Sequence, residues 1–202
     1  MTLSMHILKS RKTSNVWKRC LASAEKSGVD FTVINNNKKD ILHGRKKGFD
    51  CDGTHVTMLD DDDETLLTLE EANRLIALNK PALFTNSWVT EIGKPLSTNV
   101  PSYINKWQLG HELNRLCRPH FTMVLEKDYA NQILKETESE LVKNGWHNNF
   151  TDFIFRCIIS ANDGWHYDPA ITYNWYIHSE GHHALNSSAF ADMRKYFFGK
   201  KQ

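Results

Sequence analysis

Five consecutive acids, Asp60-Asp61-Asp62-Asp63-Glu64, follow directly on the strand-forming run Thr54-His55-Val56-Thr57-Met58-Leu59. Carboxylates a few ångströms apart repel by roughly 1 kcal/mol in water and several times more when partly buried, so a cation should relieve them. Mg²⁺ or Mn²⁺ would do so, since both prefer carboxylate oxygens and complete their shells with substrate phosphate and water. Residues i and i+2 of an extended chain point the same way, which predicts that Asp60 and Asp62 converge on such an ion while Asp61 and Asp63 face elsewhere. A solvated acidic turn would read the same way in sequence. Asp152 opens an apolar helical stretch, where backbone N–H groups favour a carboxylate; there it is either an ionised proton acceptor or a helix cap.

Other residue types offer chemistry of their own. Basic residues gather at Lys9, Arg11, Lys12, Lys18 and Arg19, and again at Lys38, Lys39, Arg45, Lys46 and Lys47. They suit a diphosphate or a polyanion, or they balance the acids. His178, with His182 and His183 beyond it, forms the one histidine cluster, and it has no acidic or cysteine partner at zinc spacing. His178 is therefore open to three roles: a third ligand to a divalent ion, a phosphate contact, or a structural residue. Cys20, Cys51, Cys117 and Cys157 form no CxxC pair and read as reduced thiols.

The elements that must position these groups follow from periodicity. Residues 5–9 predict a strand, and Val16, Cys20, Leu21 and Ala24 fall at helical spacing up to Gly28. Phe31 to Ile34 is a second strand, stopped by Asn35-Asn36-Asn37. This is a βαβ unit, hence a parallel pair with a right-handed crossover. The strand at 54–59 precedes the acids. Thr68 and Glu71 form a capping box ahead of a helix with an apolar stripe at Ala72, Leu75, Ile76 and Leu78. Strands are expected at 82–85, 121–125 and 171–177, and helices at 128–143 and 152–160. Residues 87–118 have loop composition at their start and are expected to face the acceptor.

Composition narrows the class. The chain has 202 residues, 40% hydrophobic and 24% charged, which suits one domain over 1–202 and excludes disorder. Lys plus Arg number 25 against 24 Asp plus Glu, so no global field points to nucleic acid or membrane. No apolar run is long enough to span a bilayer, and the start lacks a signal-peptide pattern; a cytoplasmic protein with no membrane partner is expected.

The stretch Gly44-Arg45-Lys46-Lys47-Gly48-Phe49, then Gly53 to Asp63, resembles the segment of GT-A type glycosyltransferases of family 2 in which a basic residue and a glycine precede a strand ending in the DxD metal motif. The opening βαβ unit resembles that family's nucleotide half. Thr151-Asp152-Phe153 is similar to the place of its catalytic acid, and Tyr173-Asn174-Trp175-Tyr176-Ile177-His178 is similar to its late strand that closes the active site. The similarity runs in order over about residues 5–183. It departs after the second strand, where the family often has an acid for the base and this chain has Asn35-Asn36-Asn37.

The resemblance implies an α/β, GT-A-like fold with a mostly parallel mixed sheet. A nucleotide-sugar half would span about 1–86 and an acceptor half about 87–202. It implies a UDP-linked nucleotide-sugar donor contacted by Ser10, Arg11, Asn35, Arg45, Asp60 and Asp61. A Mn²⁺ or Mg²⁺ ion would sit on Asp60, Asp62 and His178, and Asp152 would be the base of an inverting transfer to a hydroxyl. The expected acceptor is hydroxymethylcytosine in phage DNA, with Trp107, Trp165, His166 and Tyr167 as stacking residues; a cell-surface glycan is the alternative. A divalent-metal nuclease or phosphatase, and a binding module without turnover, stay open as other classes.

Overall fold

A computed structural model of the protein describes residues 1–10, 15–36, 40–91, 123–162, 165–177, 192–193 and 195–197. The chain runs β1 (Leu3–Lys9), α1 (Asn15–Ser27), β2 (Asp30–Asn35), α2 (Ile41–Phe49), β3 (His55–Asp60), β4 (Glu64–Thr65), α3 (Leu69–Ala77), β5 (Ala82–Glu91), β6 (Met123–Glu126), α4 (Lys127–Asn144), α5 (Thr151–Ala161) and β7 (Trp165–Ile177). A short 3-10 turn at Asn148–Phe150 leads into α5. The described strands form one seven-stranded mixed sheet in the order β2-β1-β3-β6-β5-β7-β4.

The expected βαβ unit is present: β1 lies parallel to both β2 and β3. In β1, Leu3, Met5 and Ile7 are buried, and so are His6 and Leu8, as in a central strand covered on both faces. Helix α1 buries Trp17, Cys20, Ala24 and Ser27 along one stripe and ends at Gly28, whose φ of +70° is a left-handed stop. The Thr68 hydroxyl accepts the Glu71 N–H at 3.2 Å, as the capping pattern predicts.

Several elements differ from the sequence expectation. The basic stretch before β3 contains a helix, α2, capped by Asp40 accepting from the His43 N–H at 3.0 Å. Its buried stripe is Leu42, Arg45 and Phe49, so an arginine occupies an apolar position and hides the helical period. Ser87 to Glu91, read as the start of a loop, continue β5. Strand β7 begins at Trp165 rather than Ile171, because its early residues pair with the start of β5 across an irregular register.

Orientation within the sheet positions the chemistry. Antiparallel β6 links β3 to β5, so β5 and β7 run in the same direction as β3. The carboxyl ends of β1, β2 and β3 therefore share one edge with the late part of β7, the edge at which open α/β sheets hold ligands. Trp165 is level with Ala82, Leu125 and Val56, about 13 Å short of Asp60 at 3.3 Å per residue. No helix among the described residues is long and apolar enough to cross a membrane.

Candidate active site

Strand β3 carries Asp60 to the ligand edge, and the chain turns at once, with the Asp63 N–H donating to the Asp60 carbonyl at 3.2 Å. Because this is a turn, the two-residue alternation expected of an extended chain fails. Asp60, Asp62 and Asp63 each bring a carboxylate oxygen within 4.8 Å of the others. Asp61 points away, as expected, and accepts the Ser10 N–H at 2.8 Å, which joins the loop after β1 to the acidic turn.

Strand β7 holds the turn from the other side. The Tyr173 hydroxyl donates to Asp63 at 2.6 Å and accepts the Asp60 N–H at 3.4 Å, while the Tyr176 N–H donates to Asp63 at 2.8 Å. Arg19 of α1 stacks its guanidinium 3.5 Å over the Tyr176 ring, donates to the Asp62 carbonyl and pairs with Glu64 at 3.2 Å. Desolvation pushes the Asp60 carboxyl well above the ordinary range; Arg45 pulls it back, and Asp62 and Asp152 push it further up. Burial, then Asp62, raises Asp63 against the pull of its two tyrosine hydrogen bonds. A hard oxygen donor set under this mutual repulsion fits Mn²⁺ or Mg²⁺.

Asp152 lies in the first turn of α5, but it is not the cap: Phe150 occupies that position without a side-chain hydrogen bond. Its carboxylate is instead gripped by Arg45, with Nε donating to Oδ1 at 2.9 Å and Nη2 to Oδ2 at 3.0 Å. The same Nη2 reaches Oδ1 of Asp60 at 3.4 Å, and Nη1 reaches Nε2 of His6 at 3.1 Å. Arg45 is 1% exposed, Asp152 14% and Asp60 33%. Arg45, the residue expected to contact the nucleotide, has its guanidinium buried and turned onto these protein groups.

The remaining expected residues divide. Ser10 and Asn35 are exposed at the ends of β1 and β2, on the ligand edge, whereas Asn36 is buried with its N–H on the Lys9 carbonyl at 2.8 Å. Arg11 and His178 lie outside the described residues, as do Trp107, Lys12, Lys38, Lys39, Cys117, His182 and His183. Trp165 lies at the level of Val56, and Tyr167, paired with Phe84 beside Met123, lies two residues nearer the ligand edge; Trp165 packs edge-on against Phe84 and the Tyr167 hydroxyl accepts from Asn86 at 2.9 Å, so both rings have protein partners. Lys46 faces α4 and pairs with Glu138 at 2.6 Å. Cys20 and Cys157 are buried and Cys51 is half-buried.

Sequence reading missed Asp63, Arg19 and His6. For His6 a signal existed: it is the one polar residue inside the apolar run Met5 to Leu8. For Arg19 and Asp63 there was none, because their partners on β7 are 110 or more residues away.

No family model matches the chain, and no curated protein matches it. Solved structures do. Staphylococcus aureus TarS 1–349 in complex with UDP superposes with a TM-score of 0.58 at 14% identity, over 98% of this chain and 70% of that one. The complex of TarS 1–349 with UDP-GlcNAc gives 0.56 at 11% identity, over 98% and 65%. A further TarS structure gives 0.59 at 12% identity, and there the chain spans 43% of the TarS length. The mixed sheet flanked by helices is thus the GT-A fold, as the sequence resemblance implied.

Proposed function

We propose that the protein is a metal-dependent, inverting glycosyltransferase that moves a sugar from a UDP-linked donor to a hydroxyl. The observation that carries this reading is the convergence on one guanidinium nitrogen of Asp60, from the acidic cluster, and Asp152, from α5. TarS, which shares the fold, has been crystallised with UDP and with UDP-GlcNAc, and this supports a uridine nucleotide-sugar as donor.

Asp60 and Asp62 would hold the divalent ion, with Asp63 as the third carboxylate of the cluster and His178 as a candidate ligand from the sequence. Once bound, the ion supplies positive charge against the departing diphosphate. Ser10, Arg11, Asn35 and Asp61 are the proposed donor contacts; Ser10 and Asp61 already hold each other at the ligand edge. Asp152 takes the acceptor proton while the hydroxyl oxygen bonds to the anomeric carbon from the face opposite the phosphate. The bond from that carbon to the phosphate oxygen breaks, its electron pair leaves with UDP, and the anomeric configuration inverts.

The acceptor we carry forward is a glycan hydroxyl. Trp165, one of the residues expected to stack on an extruded base, lies about 13 Å along the strands from Asp60 and packs against Phe84, which favours the glycan over DNA. Incubation with a panel of nucleotide-sugars and Mn²⁺, scored for released nucleoside diphosphate, tests the reading. UDP release from one donor is expected, and phosphate-ester or DNA cleavage without a donor would replace it by a nuclease or phosphatase. Affinity for duplex DNA measured against salt should give a flat line, whereas a steep negative slope would return DNA as the acceptor.

A further inference from the structure

We infer that His6 and Arg45 are positioning residues, in which the imidazole of His6 fixes the guanidinium of Arg45 and that guanidinium sets Asp60 and Asp152 at their mutual spacing. The inference rests on the roles proposed above for those two carboxylates. A guanidinium has no acceptor, so in the 3.1 Å contact between Arg45 Nη1 and His6 Nε2 the ring nitrogen must accept. His6 is then neutral, with its proton on Nδ1.

The surroundings hold the ring in that orientation. Phe49 packs edge-on at 5.1 Å between centroids, and a Cβ added at Gly48 would fall 2.4 Å from the imidazole. The glycine is therefore what lets α2 approach β1 closely enough for Arg45 to reach His6. Nδ1 is buried and has no hydrogen-bond partner among the described residues. Phenylalanine or leucine would fill the same space without leaving a buried N–H unmet, so packing alone does not account for a histidine here. Burial, reinforced by the Arg45 charge, holds its protonation well below the ordinary histidine range. A buried ion pair is weak as a source of stability but can fix geometry, and this one joins β1, α2, β3 and α5 at one point.

The test has two arms on the full chain. In the first, ¹⁵N shifts of the His6 ring are read in the wild type and in Arg45→Met; an unprotonated Nε2 with a protonated Nδ1 is expected in the wild type, and a loss of that preference in the variant. A protonated Nε2 in the wild type overturns the inference whatever the protein's function. In the second, UDP release from UDP-GlcNAc with Mn²⁺ is compared for wild type, His6→Phe and His6→Gln. His6→Phe should lower kcat by roughly 10²-fold, the cost of displacing a reacting group by about 1 Å, with KM nearly unchanged. His6→Gln, which restores an acceptor, should recover most of the rate. Wild-type rates in His6→Phe overturn the inference and leave the proposed function standing, and a fall in Mn²⁺·UDP affinity matching the fall in rate overturns it as well. Absence of UDP release from the wild type with any donor of the panel overturns both.

Discussion

Two arginine–aspartate pairs in this molecule have nearly the same geometry and different surroundings. Arg45 grips Asp152 with two N–H groups at 2.9 and 3.0 Å, and Arg74 grips Asp168 with two at 2.9 and 2.7 Å. Arg74 is 45% exposed and shares its charge with Glu71 on its own helix, whereas Arg45 is 1% exposed and shares its charge with Asp60 and His6. The first kind of pair fastens α3 to β7 at the surface, where water competes for both partners. The second removes a cation from water and ties α2 to β1, β3 and α5 beside the acidic cluster. Bidentate geometry by itself therefore says little about role; burial and the third partner decide it.

Removing each cation should separate the two most sharply. Arg45→Met leaves Asp152 and Asp60 partly buried without their counter-charge, and losing one partner of a buried pair typically costs about 3–5 kcal/mol. Urea unfolding of Arg45→Met beside Arg74→Met measures the difference, and equal midpoints would erase the distinction drawn here.

Asp62→Ala acts at the same edge by a different route. It removes one carboxylate of the cation cluster and relieves repulsion on Asp60 and Asp63, so the fold should survive while turnover nearly disappears. Calorimetric titration of UDP with and without Mn²⁺ should show the Mn²⁺-dependent gain in the wild type only. The same gain in both proteins would remove Asp62 from the metal site.

Asp152→Asn keeps shape and loses the proton acceptor, and general-base loss typically costs about 10²–10⁴ in rate. Donor affinity should change little. Asp168→Asn, the matching change in the other pair, should leave UDP release at the wild-type rate. Equal rates in Asp152→Asn and wild type would make Arg45–Asp152 a purely structural pair like its counterpart.

The comparison also marks where sequence stops being informative. The βαβ start, the strand into the acids and the helix at Asp152 were legible, because each is a local periodicity closed by a local stop such as Gly28 or Asp60. Helix α2 was not, since its buried stripe contains Arg45, whose burial makes sense only once Asp152, 107 residues away, is beside it. The acids were legible as a group, but the membership of the cluster was not. Asp63 joins Asp60 and Asp62 because the chain turns after β3 and because Tyr173 and Tyr176 hold that turn, and neither tyrosine can be paired with the acids from spacing. Trp165 shows the converse: it sits in the later half of the chain, yet the sheet register sets it about 13 Å back from Asp60, and no local pattern carries that register.

The smallest effect belongs to the exposed pair, and pH identifies it. The Arg74 hydrogen bonds hold the Asp168 carboxyl below its ordinary value, with help from the Ala170 N–H and against the pull of partial burial. A carboxylate whose folded pKa lies below its unfolded value binds fewer protons when folded, so its contribution is complete above the unfolded pKa of about 3.9 and is lost as pH falls through the folded one. Because Arg74 is nearly half exposed, that contribution should be about 0.5 kcal/mol at most. Arg74→Met should therefore sit slightly below wild type in urea midpoints from pH 7 down to about pH 5, and the gap should close below about pH 4, where both proteins carry a neutral Asp168 in the unfolded chain. A gap that persists or widens under acid would mean that Arg74 stabilises α3 through packing rather than through Asp168, and the two pairs would then differ in kind and not only in burial.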